Sequence, residues 1–114
     1  MDATELILLF DYYGDLLTDR QKECFELRYN QDLSLGEIGQ ELGISRQGVF
    51  DNLSRTEALL KNMEQKTGCV QRDLRCRKAV KTIQCAVEQL CGHPDENVSA
   101  TGQEILSVMQ QLEE

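Results

Sequence analysis

Arg46 and Gln47 sit near the middle of the stretch ELGISRQGVFDNLSR, residues 41–55, and both have side chains that can read a base edge. A guanidinium forks onto O6 and N7 of guanine, and a carboxamide pairs with N6 and N7 of adenine. On a helix capped by Ser45, the exposed first turn and stripe hold Ser45, Arg46, Gln47, Phe50, Asp51 and Ser54, with Arg55 beside them. Two members of this set do not suit the role. Asp51 would bring a carboxylate to a groove lined by phosphates, and the ring of Phe50 is more at home on a protein surface. Arg46 and Arg55 also have Asp51 and Glu57 within helical reach, so solvated or locally paired charge explains them equally well.

A second candidate is RDLRCRKAVK, residues 72–81, with five bases and one acid in ten residues. Arg72, Arg75 and Lys78 recur every three residues along one arc of a helix, which suits an RNA backbone or an acidic protein face. The alternative is that this arc neutralises the acidic first helices, where Asp11, Asp15 and Asp19 lie.

Charge is unevenly spread over the 114 residues, whose net charge is -8. Residues 1–45 carry ten acids and three bases, residues 46–81 nine bases and four acids, and residues 82–114 six acids and no base. The basic island does not coincide with the segment around Arg46, since residues 34–66 hold four bases and five acids. Nonspecific DNA affinity comes almost entirely from Lys and Arg displacing counterions, with log K falling by ~0.9 per phosphate contact per decade of salt. Arg46, Arg55 and Lys61 alone would give weak binding at physiological salt.

Nothing in the chain carries catalysis. The single histidine, His93, precedes Pro94; there is no GxxxxGK[ST] loop and no paired nucleophile and base, so the expectation is a non-enzyme without cofactor. Cys24, Cys69, Cys76, Cys85 and Cys91 are odd in number and lack a CxxC, which suggests free thiols acting as small apolar residues rather than a zinc site or a disulfide framework. Cys85, opposite the apolar stripe of its own helix, is the one to test for reactivity. No apolar run approaches the ~20 residues of a membrane span, and the N-terminus opens with acids, so a cytoplasmic protein is expected.

Helices must position these groups. Leu6, Leu9, Phe10, Tyr13 and Leu17 make one helical face after an N-cap at Thr4. Thr18 with Gln21, and Ser34 with Glu37, each fit a capping box, and Asn30 to Asp32 closes the helix between them. Gly43 supplies a left-handed stop, and Ser45 caps a helix whose apolar positions Val49, Leu53, Leu60 and Met63, with Thr56 between, run to Thr67 and Gly68. A further helix reaches Gly92 with Cys76, Val80, Ile83, Val87 and Leu90 four and three apart; GHPDENVSATGQ reads as a loop, and a last short helix buries Ile105, Leu106, Met109 and Leu112.

The fold expected is therefore all-α. It is a three-helix helix-turn-helix unit, of the winged-helix-like class without a clear wing, followed by a long helix and C-terminal helices. Ile38, Leu42, Ile44 and Val49 form its small core, and Gly39 lets the two helices of the motif approach. Residues 1–67 make the helix-turn-helix domain and 68–114 a helical extension packing on it or on a partner subunit. The stripes after Val49 and Cys76 offer more apolar face than a three-helix unit needs, which points to a homodimer unless the two helices pair within one chain.

LFDYYGDLLTDRQ, YNQDLSLGEI and SRQGVFDN together resemble the bacterial YlxM family of helix-turn-helix proteins over roughly the first sixty-five residues, with Gly39 and Gly48 where Ala is more usual. Members of that family are similar in fold to region four of sigma factors, and their genes lie beside those of the signal recognition particle. The resemblance implies an accessory or regulatory role in that pathway, through the particle's GTPase protein or its RNA. The fold by itself would imply a DNA-binding transcriptional regulator using the helix at 46–55 in the major groove.

Overall fold

The computed structural model describes residues 2–112, and every regular element among them is a helix. In order these are α1 (Ala3–Tyr13), a 3-10 turn (Gly14–Leu16), α2 (Asp19–Tyr29), α3 (Leu35–Leu42), α4 (Arg46–Thr67), α5 (Cys69–Cys91) and α6 (Glu96–Leu112). Contacts divide the chain into two compact units, one ending at Val70 and the other starting at Gln71.

Short polar side chains set the helix starts. Thr18 accepts from the amide of Gln21 while the Gln21 carboxamide accepts from the Thr18 amide, and Ser34 and Glu37 repeat the arrangement. The Glu37 carboxyl is held below its usual range by these bonds from Ser34. Ser45 accepts from the Gly48 amide at 3.0 Å. The cap of α1 is Asp2 rather than Thr4: its carboxylate accepts from the Glu5 amide at 2.9 Å, and a negative charge there also meets the positive end of the helix dipole.

α4 is the common wall of the first unit, packing on α1, α2 and α3. Its first half joins one core with Cys24, Leu27, Ile38, Val49 and Leu53; its second half joins another with Leu6, Leu9, Tyr13, Leu17, Phe25, Leu60 and Val70. Thr56, between them, is fully buried, and its hydroxyl donates to the Asn52 carbonyl one turn back. Phe10 stacks on Phe25 with ring centroids 4.4 Å apart.

The turn between α3 and α4 is as tight as a helix-turn-helix requires. Gly43 adopts φ 70°, and the Ile44 amide donates back to the Gly39 carbonyl at 3.0 Å. A Cβ on Gly39 would lie 2.7 Å from the Ile44 carbonyl oxygen, so the turn rests directly on the glycine's bare face.

Two tyrosines tie the earlier helices to α4. Tyr13 donates to Glu64 at 2.6 Å and Tyr29 to Glu57 at 2.5 Å, the two glutamates lying seven residues apart on one face. Burial, then the bond to Glu57, pushes the Tyr29 phenol up to about 12, and burial followed by Glu64 raises that of Tyr13.

The second unit is a helical hairpin. α6 starts at Glu96, inside the stretch expected to be a loop, and only residues 92–95 connect the helices. The Asp95 carboxylate accepts from the Asn97 amide at 2.8 Å, Ser99 donates to the Cys91 carbonyl at 2.7 Å, and a Cβ on Gly102 would meet Leu90 and Cys91 at about 3.0 Å. The Ser, Thr and Gly residues that suggested a loop are the small residues that bring α6 close to α5. Of the four residues expected to be buried on the last helix, only Met109 is; Leu106 is half-buried, and Ile105 and Leu112 are exposed. A two-helix unit covers only one side of each helix.

Two outcomes follow. Gly39→Ala sets a methyl 2.7 Å from the Ile44 carbonyl oxygen, a backbone atom that the turn cannot move cheaply, so it lowers urea stability by about 1–3 kcal/mol despite a gain of about 1 kcal/mol in helix propensity, and Gly39→Val lowers it further. Because the folded state holds Tyr29 protonated, its contribution is complete below pH 10 and disappears as pH rises through about 12. Melting temperature therefore falls across that window, and Tyr29→Phe, which costs about 1 kcal/mol at neutral pH, flattens the fall.

Candidate nucleic-acid and partner interfaces

The exposed turns of α4 hold Ser45, Arg46, Gln47, Phe50, Asp51, Ser54 and Arg55 together at the surface of the first unit. Their positions follow from the buried stripe: once Val49 and Leu53 face the core, the residues one and two places on must face outward. Ser45 is engaged as the cap, so its hydroxyl fixes where α4 begins.

Within this face the side chains partner one another differently from the expected ion pairs. Gln47 donates to Asp51 at 3.0 Å, which occupies the amide group an adenine contact would need. Glu57 is taken by Tyr29, and among the described residues neither Arg46 nor Arg55 has an ion-pair partner. Phe50 is 53% exposed, a large apolar ring at the middle of the face.

Three of the remaining bases of the unit are engaged locally, while Lys61 and Lys66 are exposed further along α4. Arg20 donates to the Leu42 carbonyl at 3.3 Å and Arg28 to the Leu33 carbonyl at 3.0 Å, closing helix ends and turns, while Lys22 pairs with Asp15 at 3.3 Å. In a helix-turn-helix the first helix of the pair crosses the phosphate backbone. Here that helix is α3, and Glu37, Gln40 and Glu41 are exposed on it.

A feature that the sequence pattern did not single out adjoins Arg55. Gln21, Arg55, Ala58, Leu59 and Asn62 line a shallow, mostly apolar cleft over α2 and α4. The available signal was Leu59, an apolar residue outside the four-three stripe of α4.

The second candidate surface belongs to the hairpin unit. Arg72, Arg75 and Lys78 are all exposed on α5, and Arg77 pairs loosely with Asp73 at 3.8 Å. One of the acids proposed as their counter-charge, Asp15, has Lys22 as its partner. Cys24 is buried and its thiol raised by that burial, whereas Cys85 is exposed. Among the described residues no group of His, Cys, Asp and Glu is placed to hold a metal ion, and no helix is long and apolar enough to cross a membrane.

Comparison with known proteins agrees with this geometry. The family model UPF0122, described as "Putative helix-turn-helix protein, YlxM / p13 like", matches residues 1–91, so the likeness runs well past the first sixty-five residues. A UPF0122 protein of Thermoanaerobacter sp. is 47% identical over 87 residues, covering 76% of this chain and 74% of the relative. One from Acetivibrio thermocellus is 39% identical over 110 residues, covering 96% and 89%, and one from Bacillus cereus 34% over 111 residues, covering 97% and 96%. The chain belongs to the UPF0122 family of YlxM/p13-like helix-turn-helix proteins.

Proposed function

We propose that this protein is a non-enzymatic accessory factor of the signal recognition particle pathway, using its helix-turn-helix as a scaffold that docks the targeting GTPase, its RNA, or both. The observation that carries this reading is the composition of the α4 face. An exposed Phe50 lies beside a Gln47–Asp51 pair on a segment whose acids outnumber its bases. An apolar centre rimmed by polar groups is the anatomy of a protein-binding patch, in which an aromatic residue supplies most of the energy. The exposed acids of α3 support it further, because they stand where a DNA reader needs positive charge. The link to the particle comes from the resemblance to the YlxM family. Arg72, Arg75 and Lys78 on α5 offer the surface suited to an RNA backbone.

A second reading, a DNA-binding transcriptional regulator, is favoured by one observation. Arg46 stands unpaired among the described residues at the first turn of α4, where a recognition helix meets base edges.

The two readings separate in one binding experiment with the full chain at physiological salt, against the purified targeting GTPase, its RNA, and random and selected duplex DNA. The expected result is binding to a particle component and none to duplex. Phe50→Ala weakens capture of the GTPase about tenfold or more without loss of thermal stability. If the RNA is the ligand, Arg75→Ala and Lys78→Ala each reduce the salt slope by roughly 0.7 to 0.9, depending on whether the contact is to a single strand or a duplex. Tight, sequence-selective duplex binding abolished by Arg46→Ala, with no affinity for GTPase or RNA, overturns the proposal in favour of the regulator.

A further inference from the structure

The second half of α4 is basic on its outer side although the protein is acidic. From Arg55 to Lys66 the sequence has three bases and two acids, and both acids are half-buried and engaged. Glu57 accepts from Tyr29, and Glu64 accepts from Tyr13 and from the Val70 amide. Arg55, Lys61 and Lys66 are exposed, and none has an ion-pair partner among the described residues. The tyrosines that hold the helix therefore also strip its outer side of negative charge.

Arg55, Leu59, Asn62 and Lys66 stand four, three and four residues apart, which puts them on one stripe of α4. The stripe has a base at each end, about 16 Å apart along the helix axis, and an apolar residue between them. It borders α2, because Arg55, Leu59 and Asn62 line a shallow cleft of about 500 Å³ together with Ala58 and Gln21. Leu59, 38% exposed, and Ala58 are its apolar residues. Its rim is rich in donors: the guanidinium of Arg55, the carboxamide of Asn62, and the amide nitrogen of Gln21, whose oxygen already accepts from the Thr18 amide at 3.0 Å. Among the described residues no carboxylate lines the cleft. Phe50 lies on the opposite flank of α4, about two and a half turns back, so this surface is separate from that one.

Shape and charge together select the occupant. A groove between two helices seats a third helix laid along it. Ala58 and Leu59 favour an apolar side chain at the middle of that helix, and Arg55 and Lys66 favour a carboxylate to either side. A nucleic-acid strand fits less well, because it gains from releasing counterions at many phosphates, and here the two bases are separated by an apolar stretch that offers phosphate nothing.

We infer that the cleft between α2 and α4 is a docking site for an acidic amphipathic helix of another protein. Its apolar side chain packs on Ala58 and Leu59, while acids before and after it pair with Arg55 and Lys66.

Panning a random peptide library against the immobilised full chain tests this, with members about sixteen residues long so that each, as a helix of about 24 Å, reaches past both bases. The enriched peptides are expected to carry an aliphatic or aromatic residue with acids to either side of it. In fluorescence polarisation with the best of them, Leu59→Ala, Arg55→Glu and Lys66→Glu each weaken binding about tenfold, with the thermal melt unchanged. Lys61→Glu makes the same charge change on the other flank of α4 and weakens it less than about twofold. The inference is overturned if no peptide is enriched, if the enriched peptides are basic or uncharged, or if a single-stranded oligoribonucleotide binds this stripe and no peptide does. It is overturned equally if Leu59→Ala leaves peptide binding unchanged, or if Lys61→Glu weakens it as much as Arg55→Glu.

Discussion

One buried stripe, Val49, Leu53, Thr56 and Leu60 on α4, holds the first unit together. A 22-residue helix is too long for a three-helix motif to cover, and the protein resolves this by building two cores along it. The first half of α4 completes the helix-turn-helix with α2 and α3; the second half lies under α1 and the aromatic group of Phe10, Phe25 and Tyr29. Fixing that stripe also fixes which residues face outward, so the exposed face of α4 is a geometric by-product of packing. Tyr13 and Tyr29, bonded to Glu64 and Glu57, pin the rotation of α4 at two points two turns apart.

The motif's fold and its charge point in different directions. Everything a helix-turn-helix needs structurally is present: a left-handed Gly43, a bare Gly39 under the turn, and a capped second helix. What a DNA reader needs electrostatically is sparse, because several bases of the unit close backbone carbonyls or a local ion pair. Phosphate binding is a sum over many modest contacts, so losing two or three of them changes affinity by orders of magnitude. Burying one aromatic ring needs no such multiplicity, so the exposed Phe50 equips this face better for an apolar contact than its charges equip it for phosphates.

The parts legible in the sequence were those governed by local rules. Thr18 with Gln21 and Ser34 with Glu37 act within one turn, and Gly43 and Gly68 end their helices through backbone conformation alone. The α4 stripe was legible because three neighbours cover it, so periodicity and burial coincide. Around Gly102 they do not: a Ser, Thr and Gly run reads as a loop until the contact with Leu90 is known, since small residues serve close packing as well as turns. Ile105 and Leu112 have the spacing of buried residues without a cover within the chain, and spacing cannot report that. At the candidate site the exposed set was readable from helical phase, while the Gln47–Asp51 bond and the capture of Glu57 by Tyr29 depend on rotamers and on a residue 28 positions away.

The separation of inner and outer stripes on α4 bears on how such a protein changes over evolutionary time. Arg46, Gln47, Phe50, Asp51 and Ser54 touch neither core, so drift at these positions carries almost no folding penalty, while Val49 and Leu53 between them are held by packing. Packing therefore makes no demand on which residues stand there, and whatever holds their identity acts from outside the fold. The likeness of SRQGVFDN, residues 45–52, to the YlxM family is accordingly a likeness of surface as well as of scaffold, since Arg46, Gln47, Phe50 and Asp51 all lie within it.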